Sequence, residues 1–234
     1  MTEAEWLTCN DPPAMLKFLE GRASERKLRL FAVACCRRYE YLLAEEESRM
    51  AIRVAERFAD GQATPEEMDE AQEKARWPAK DGDGFGPLYS CYFREGQPFD
   101  WEAAAMVMGA TLDSLDNKRV AADLAGLPRE QWKEIRAGLT EEEWAAEFGG
   151  VADLLRCIFG NPFRPTTIDP AWLSPNVMSL AQTIYDDRNF DVMPILSDAL
   201  EESGCNDADI LGHLRLPGDH ARGCWAIDPI LGKT

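Results

Sequence analysis

Apolar residues recur at three- and four-residue steps along most of the chain, the period of an α-helix with one buried face. After Ser24, the positions Leu28, Phe31, Cys35, Tyr39 and Leu42 make one such stripe. Ile52, Ala55 and Phe58 make another, in a helix expected over 46–60 and stopped by Gly61. Boundary signals agree with the period. Thr2 and Glu5 form a capping box ahead of Trp6 and Leu7. Asp11-Pro12 opens a short helix that Gly21 ends, and Thr64-Pro65-Glu66-Glu67 opens another that runs to about Arg76. Helices are further expected at 100–115, at 128–137, and from a cap at Thr140 through Trp144 towards Phe159. Ser174-Pro175 starts a helix carrying Val177, Leu180, Ala181, Ile184 and Tyr185. Val192, Ile195, Leu196 and Leu200 give the buried face of the next.

Two stretches break the rhythm. Residues 78–98 are rich in Gly, Pro and aromatics and too long for a tight connection. Residues 160–175 contain four prolines. Strict alternation and Asn-Gly hairpin signals are missing. The pattern therefore predicts an all-α protein: a multi-helix bundle over 1–159 and a compact helical C-terminal unit over 160–234, or one continuous domain built from both.

Composition narrows this picture. An apolar fraction of 45% with seven tryptophans argues against disorder. No window holds the roughly 18 uninterrupted apolar residues of a membrane span. Met1-Thr2-Glu3-Ala4-Glu5 lacks the basic start and apolar run of a signal peptide. Seven cysteines, two of them adjacent at Cys35 and Cys36, do not form a regular disulfide framework, so reduced thiols and a cytoplasmic location are expected. A formal charge of −17 disfavours a general nucleic-acid or anionic-membrane binder. One cluster runs against that charge: Arg22, Arg26, Lys27, Arg29, Arg37 and Arg38 around a single Glu25. It reads either as a solvated helix face paired with Glu45-Glu46-Glu47, or as a docking face for an acidic partner protein. In the second case Arg26, Arg29 and Arg37 are the candidate contacts.

Most motifs fail on inspection. Asp81, Asp83 and Gly86 fall at calcium-loop positions one, three and six, but Phe85 and Tyr92 occupy positions five and twelve. The terminal Gly232-Lys233-Thr234 lacks the first glycine of a phosphate loop and a following helix. There is no His-Glu-x-x-His, no Glu-x-x-His and no Gly-x-Ser-x-Gly. Both histidines of the chain lie in one short stretch bracketed by cysteines: Cys205, His213, His220 and Cys224. Two sulfurs and two imidazoles are one complete tetrahedral zinc set, although the spacing matches no standard finger. Three readings are open: a zinc site, a buried Cys/His cluster without metal, and catalysis with Asp209, Asp219 or Asp228 orienting a ring. For Cys205 the packing alternative is specific, since it follows Gly204 at an expected helix end.

Longer stretches of the chain also resemble a known set of proteins. "NPFRP", "DPAWL" and "HARGCW" near the C-terminus, with "SERKLRLFAVACCRR" near the start, resemble a bacterial family of planctomycete type. Its members often read His-Cys-Arg where this chain has His213-Leu214-Arg215. The resemblance implies a bacterial, cytosolic protein and implies no activity.

Two functions from different classes follow. The first is a non-catalytic helical module that binds another protein, with no certain cofactor. The second is a small metal- or thiol-dependent enzyme centred on the C-terminal Cys/His cluster.

Overall fold

The computed structural model describes residues 1–38, 40, 46–76 and 140–233. Among these residues the chain is all-α, with nine α-helices and no strand. We number them α1 (Glu3–Thr8), α2 (Pro12–Phe18), α3 (Glu25–Arg38), α4 (Glu46–Ala59), α5 (Pro65–Arg76), α6 (Glu141–Phe159), α7 (Pro175–Asp187), α8 (Met193–Glu202) and α9 (Ala208–Arg215). The helices expected at 100–115 and 128–137, the break at 78–98 with its calcium-like loop, and Tyr39 and Leu42 lie outside the described residues.

Helix starts follow the caps. Thr2, Thr64 and Thr140 each accept from the backbone three residues on, and the carboxylates of Glu5, Glu67 and Glu143 accept in return from the cap residue's N–H. Asp207 accepts from both Asp209 and Ile210 to open α9. Each such cap contributes about 1 kcal/mol.

The chain divides into two compact units: a middle unit of residues 10–152 and a terminal unit of residues 1–9 with 153–234. The proline-rich run 160–175 belongs wholly to the terminal unit.

In the middle unit, α4 packs against both α3 and α5. Burial on α3 is wider than one stripe: Leu28, Leu30 to Ala34, Cys35 and Cys36 are all buried. Burial pushes the Cys35 thiol well up, with adjacent Cys36 acting in the same direction, so it stays protonated and inert.

In the terminal unit, α8 packs against α7 and α9 over a core that includes Ile184, Tyr185, Leu196, Leu200, Ile210 and Leu214. After α9 the chain runs as a series of turns and sends Cys224, Ala226, Ile227 and Ile230 into that core. Two cationic groups lie over the Tyr185 ring, Lys233 at 4.6 Å and Arg222 at 5.0 Å. Arg222 also donates to the carbonyls of Tyr185 and Asp186, satisfying acceptors at the end of α7. The end of α6 is tied down by Gly160, whose φ of +64° suits glycine. Its carbonyl accepts from the indole N–H of Trp6 at 2.8 Å, and the Trp225 ring lies against its bare Cα face.

Candidate metal centre

Four side chains from three parts of the terminal unit meet: Cys157, His213, His220 and Cys224, with one ligand atom of each within 4.8 Å of all the others. Cys157 sits in the last turn of α6, where Leu154, Leu155 and Ile158 share its burial. His213 sits in the last turn of α9. His220 and Cys224 follow the turn Leu216-Pro217-Gly218-Asp219. A backbone hydrogen bond from Trp225 N–H to the Cys157 carbonyl, 2.9 Å long, lays the Cys224 segment against the end of α6.

The ligand atoms are defined. Nε2 of His213 lies 3.2 Å from Sγ of Cys224, and Nδ1 of His220 lies 3.5 Å from Sγ of Cys157. Zinc bonds of about 2.3 Å to sulfur and 2.0–2.1 Å to nitrogen, set at tetrahedral angles, place S and N about 3.5 Å apart. Both observed edges are close to that value. The far nitrogen of His220, Nε2, faces the Leu216 carbonyl at 3.2 Å. A proton there donates to that carbonyl and leaves Nδ1 bare towards the sulfurs, the orientation a metal-ligating histidine needs. The two imidazoles meet edge to face at 5.0 Å, and Trp225 lies 5.0 Å from the His213 ring.

Without metal, electrostatics favour the thiolate a metal needs at Cys224 but the imidazolium at His220, whose proton a bound metal would displace. Burial opposes ionisation of Cys224, yet hydrogen bonds from Cys157, His213 and His220 outweigh it and hold its thiol well below the usual cysteine range. Burial likewise works against charge on His220, but the Cys224 thiolate and the Leu216 carbonyl outweigh it and raise its pKa.

The group has a closed side and an open side. Cys157 and Cys224 are buried, whereas both histidines are half-buried. A cleft of about 580 Å³ runs past Cys157, His213 and His220, with Leu7, Arg164 and Leu216 among its walls. Cys224 does not line it.

Of the four residues read from the C-terminal stretch, the structure gathers His213, His220 and Cys224. The fourth member is Cys157, not Cys205. Gly204, at φ +94°, turns the chain so that the Cys205 N–H caps the Leu200 carbonyl and its side chain joins the apolar core. Burial raises the Cys205 thiol, in keeping with a packing role. Of the three aspartates considered, Asp209 and Asp219 line the cleft, while Asp228 is fully buried.

Arg26, Arg29 and Arg37 of the basic cluster are held by acids of their own unit. Arg26 pairs with Asp60, whose side chain is fully buried, and Arg37 pairs with buried Glu56 and with Glu40. Arg29 is buried, pairs with Glu25 and stacks over Phe58 at 5.0 Å. Glu46 instead pairs with Arg49 and Arg53 along α4.

The described cysteines are free thiols, and no described helix is long and apolar enough to cross a membrane. The Cys/His group therefore defines the class: an all-α protein with a site that could hold a metal ion. Comparison with family models, curated proteins and solved structures returned no match.

Proposed function

We propose that Cys157, His213, His220 and Cys224 hold a structural zinc ion that staples the terminal unit, and that the protein is a non-catalytic helical module for binding another protein. The observation that carries the reading is the convergence of four ligand atoms, two sulfurs and two nitrogens, within 4.8 Å of one another, with two S–N edges of 3.2 and 3.5 Å close to the tetrahedral value. Four protein ligands complete the shell, which is the mark of structural rather than catalytic zinc. The metal would join the last turn of α6 to α9 and to the turns after it, where regular secondary structure supplies few hydrogen bonds.

A cysteine-based enzyme is supported less well. A nucleophile must be reached by substrate, and Cys224, the thiol most disposed to ionise, is 1% exposed and off the cleft wall. The metal-dependent enzyme keeps one observation in its favour: His213 and His220 do line the cleft. The binding-module reading draws on the same surface, since the cleft is rimmed by exposed leucines at Leu7 and Leu216.

Elemental analysis of the purified protein tests the metal. One equivalent of zinc per chain, lost on chelation together with thermal stability, is the expected result. Protein that carries no metal, gains none from added zinc and melts unchanged with chelator would overturn it.

A further inference from the structure

We infer that Cys157 and Cys224 form a thiol pair built to close into a disulfide when a hydroperoxide enters the cleft, discharging the metal as they do so. Only the discharge rests on the zinc reading above; the pairing stands on geometry alone. The two sulfurs lie within 4.8 Å of each other. Their backbones are already fastened by the hydrogen bond from Trp225 N–H to the Cys157 carbonyl. Neighbouring backbones are what disulfide geometry demands, because Cα atoms must come within about 7 Å.

Both thiols are buried, Cys157 at 3% and Cys224 at 1% exposure, but only Cys157 lies on the cleft wall, and that difference assigns roles. Among the residues lining the cleft, only Cys157 carries sulfur. Cys224 does not line the cleft. An oxidant arriving through the cleft therefore meets Cys157 first, and Cys224 is placed as the resolving thiol. In the first step the Cys157 sulfur attacks a peroxide oxygen. The S–O bond forms, the O–O bond breaks, and the alcohol, or water from hydrogen peroxide, leaves with a proton. In the second step the Cys224 sulfur attacks that of Cys157. The S–S bond forms, the S–O bond breaks, and water leaves with a second proton. The two cysteines lose two electrons and the hydroperoxide gains them. A metal ion held at the site would keep only its two imidazoles, too few for tetrahedral zinc.

The digestion pattern makes the pair easy to identify. Trypsin cleaves after Arg156 and Arg222, and Arg164 is protected by Pro165. Cys157 is then the sole cysteine of fragment 157–188, Cys224 of fragment 223–233 and Cys205 of fragment 189–215. The experiment treats the full-length protein, as purified, with hydrogen peroxide, alkylates remaining thiols and maps peptides without reductant. A metallochromic dye follows release in parallel. The expected result is fragment 157–188 linked to 223–233, reversed by dithiothreitol, with metal released in step. Cys205→Ser should leave the link intact and Cys157→Ser should abolish it. Fragments 157–188 and 223–233 recovered separately, as alkylated thiols or as sulfinic acids, would overturn the inference, and so would a link from 223–233 to 189–215. A link formed in protein that holds no metal keeps the thiol pair and removes the zinc. Bound metal with no link does the reverse.

Discussion

Trp225 donates its backbone N–H to the carbonyl of Cys157 across 2.9 Å, joining the end of α6 to the residue that follows Cys224. One hydrogen bond thus brings together two thiols far apart in sequence. It also explains why Trp225 can lie 5.0 Å from His213 and against Gly160 at once.

Chelation should separate metal from packing. With free zinc at about a thousand times Kd, binding contributes about 4 kcal/mol to stability, and its removal should lower Tm by about 10 °C. Cys157→Ser should match the chelated wild type and show no further fall with chelator. Cys205→Ser should keep both its metal and its response to chelator. Calorimetry with and without chelator reads all three, and a Cys157→Ser protein that still binds zinc tightly would remove Cys157 from the ligand set.

Gly160→Ala should be costly for two reasons. Its φ of +64° disfavours any side chain, and a Cβ there would lie 2.8 Å from Cγ of Trp225. Together these should destabilise the terminal unit by about 1–3 kcal/mol. Because Trp225 must move, its tryptophan emission should shift and zinc affinity should fall. An unchanged spectrum with unchanged affinity would mean that the ring is not positioned by this glycine.

The helices were legible because their evidence is local. Thr2 with Glu5, Thr64 with Glu67, and the stripe Leu28-Phe31-Cys35 each announce themselves within a few residues. Three members of the candidate centre were legible for the same reason, being clustered between 213 and 224. Cys157 was not. It sits among Leu154, Leu155 and Ile158 in an apolar helical stripe, where cysteine reads as packing, and it meets His220 across a separation of 63 residues. Cys205 is near these residues along the chain but packs in the apolar core. Its position after Gly204 at a helix end carried the correct signal, that of a buried capping residue.

The stability of the metal-free protein should depend on pH through Cys224 and His220, with opposite signs. The lowered pKa of Cys224 gives stability that is fully present above the ordinary cysteine value, about 8.5, and is lost as pH falls through the folded value. The raised pKa of His220 gives stability that is fully present below about 6.5 and is lost as pH rises through the folded value. Tm of the chelated protein should therefore fall on acidification through the folded value of Cys224, and Cys224→Ser should flatten that fall. Thiolate absorbance near 240 nm should persist in the folded protein at pH values where free cysteine is protonated. A Cys224→Ser variant whose Tm varies with pH as the wild type does would show that the pair contributes nothing.

Treating the basic cluster of α3 as a solvated face predicts that charge reversal there is harmless, since exposed ion pairs contribute at most about 1 kcal/mol. The pairing with buried acids predicts otherwise. Arg37 donates to both carboxylate oxygens of Glu56, which is 2% exposed, at 3.2 and 3.1 Å. Removing one partner of such a pair typically costs about 3–5 kcal/mol, because the remaining charge stays in a poorly solvated place. Arg37→Ala should therefore lower stability by about 3 kcal/mol, and Arg37→Glu by more. Arg53→Ala should have little effect, since its pair with Glu46 is exposed on both sides. Urea titrations of the three variants decide the matter: equal midpoints for Arg37→Ala and Arg53→Ala would return the cluster to the surface and reopen it as a docking face.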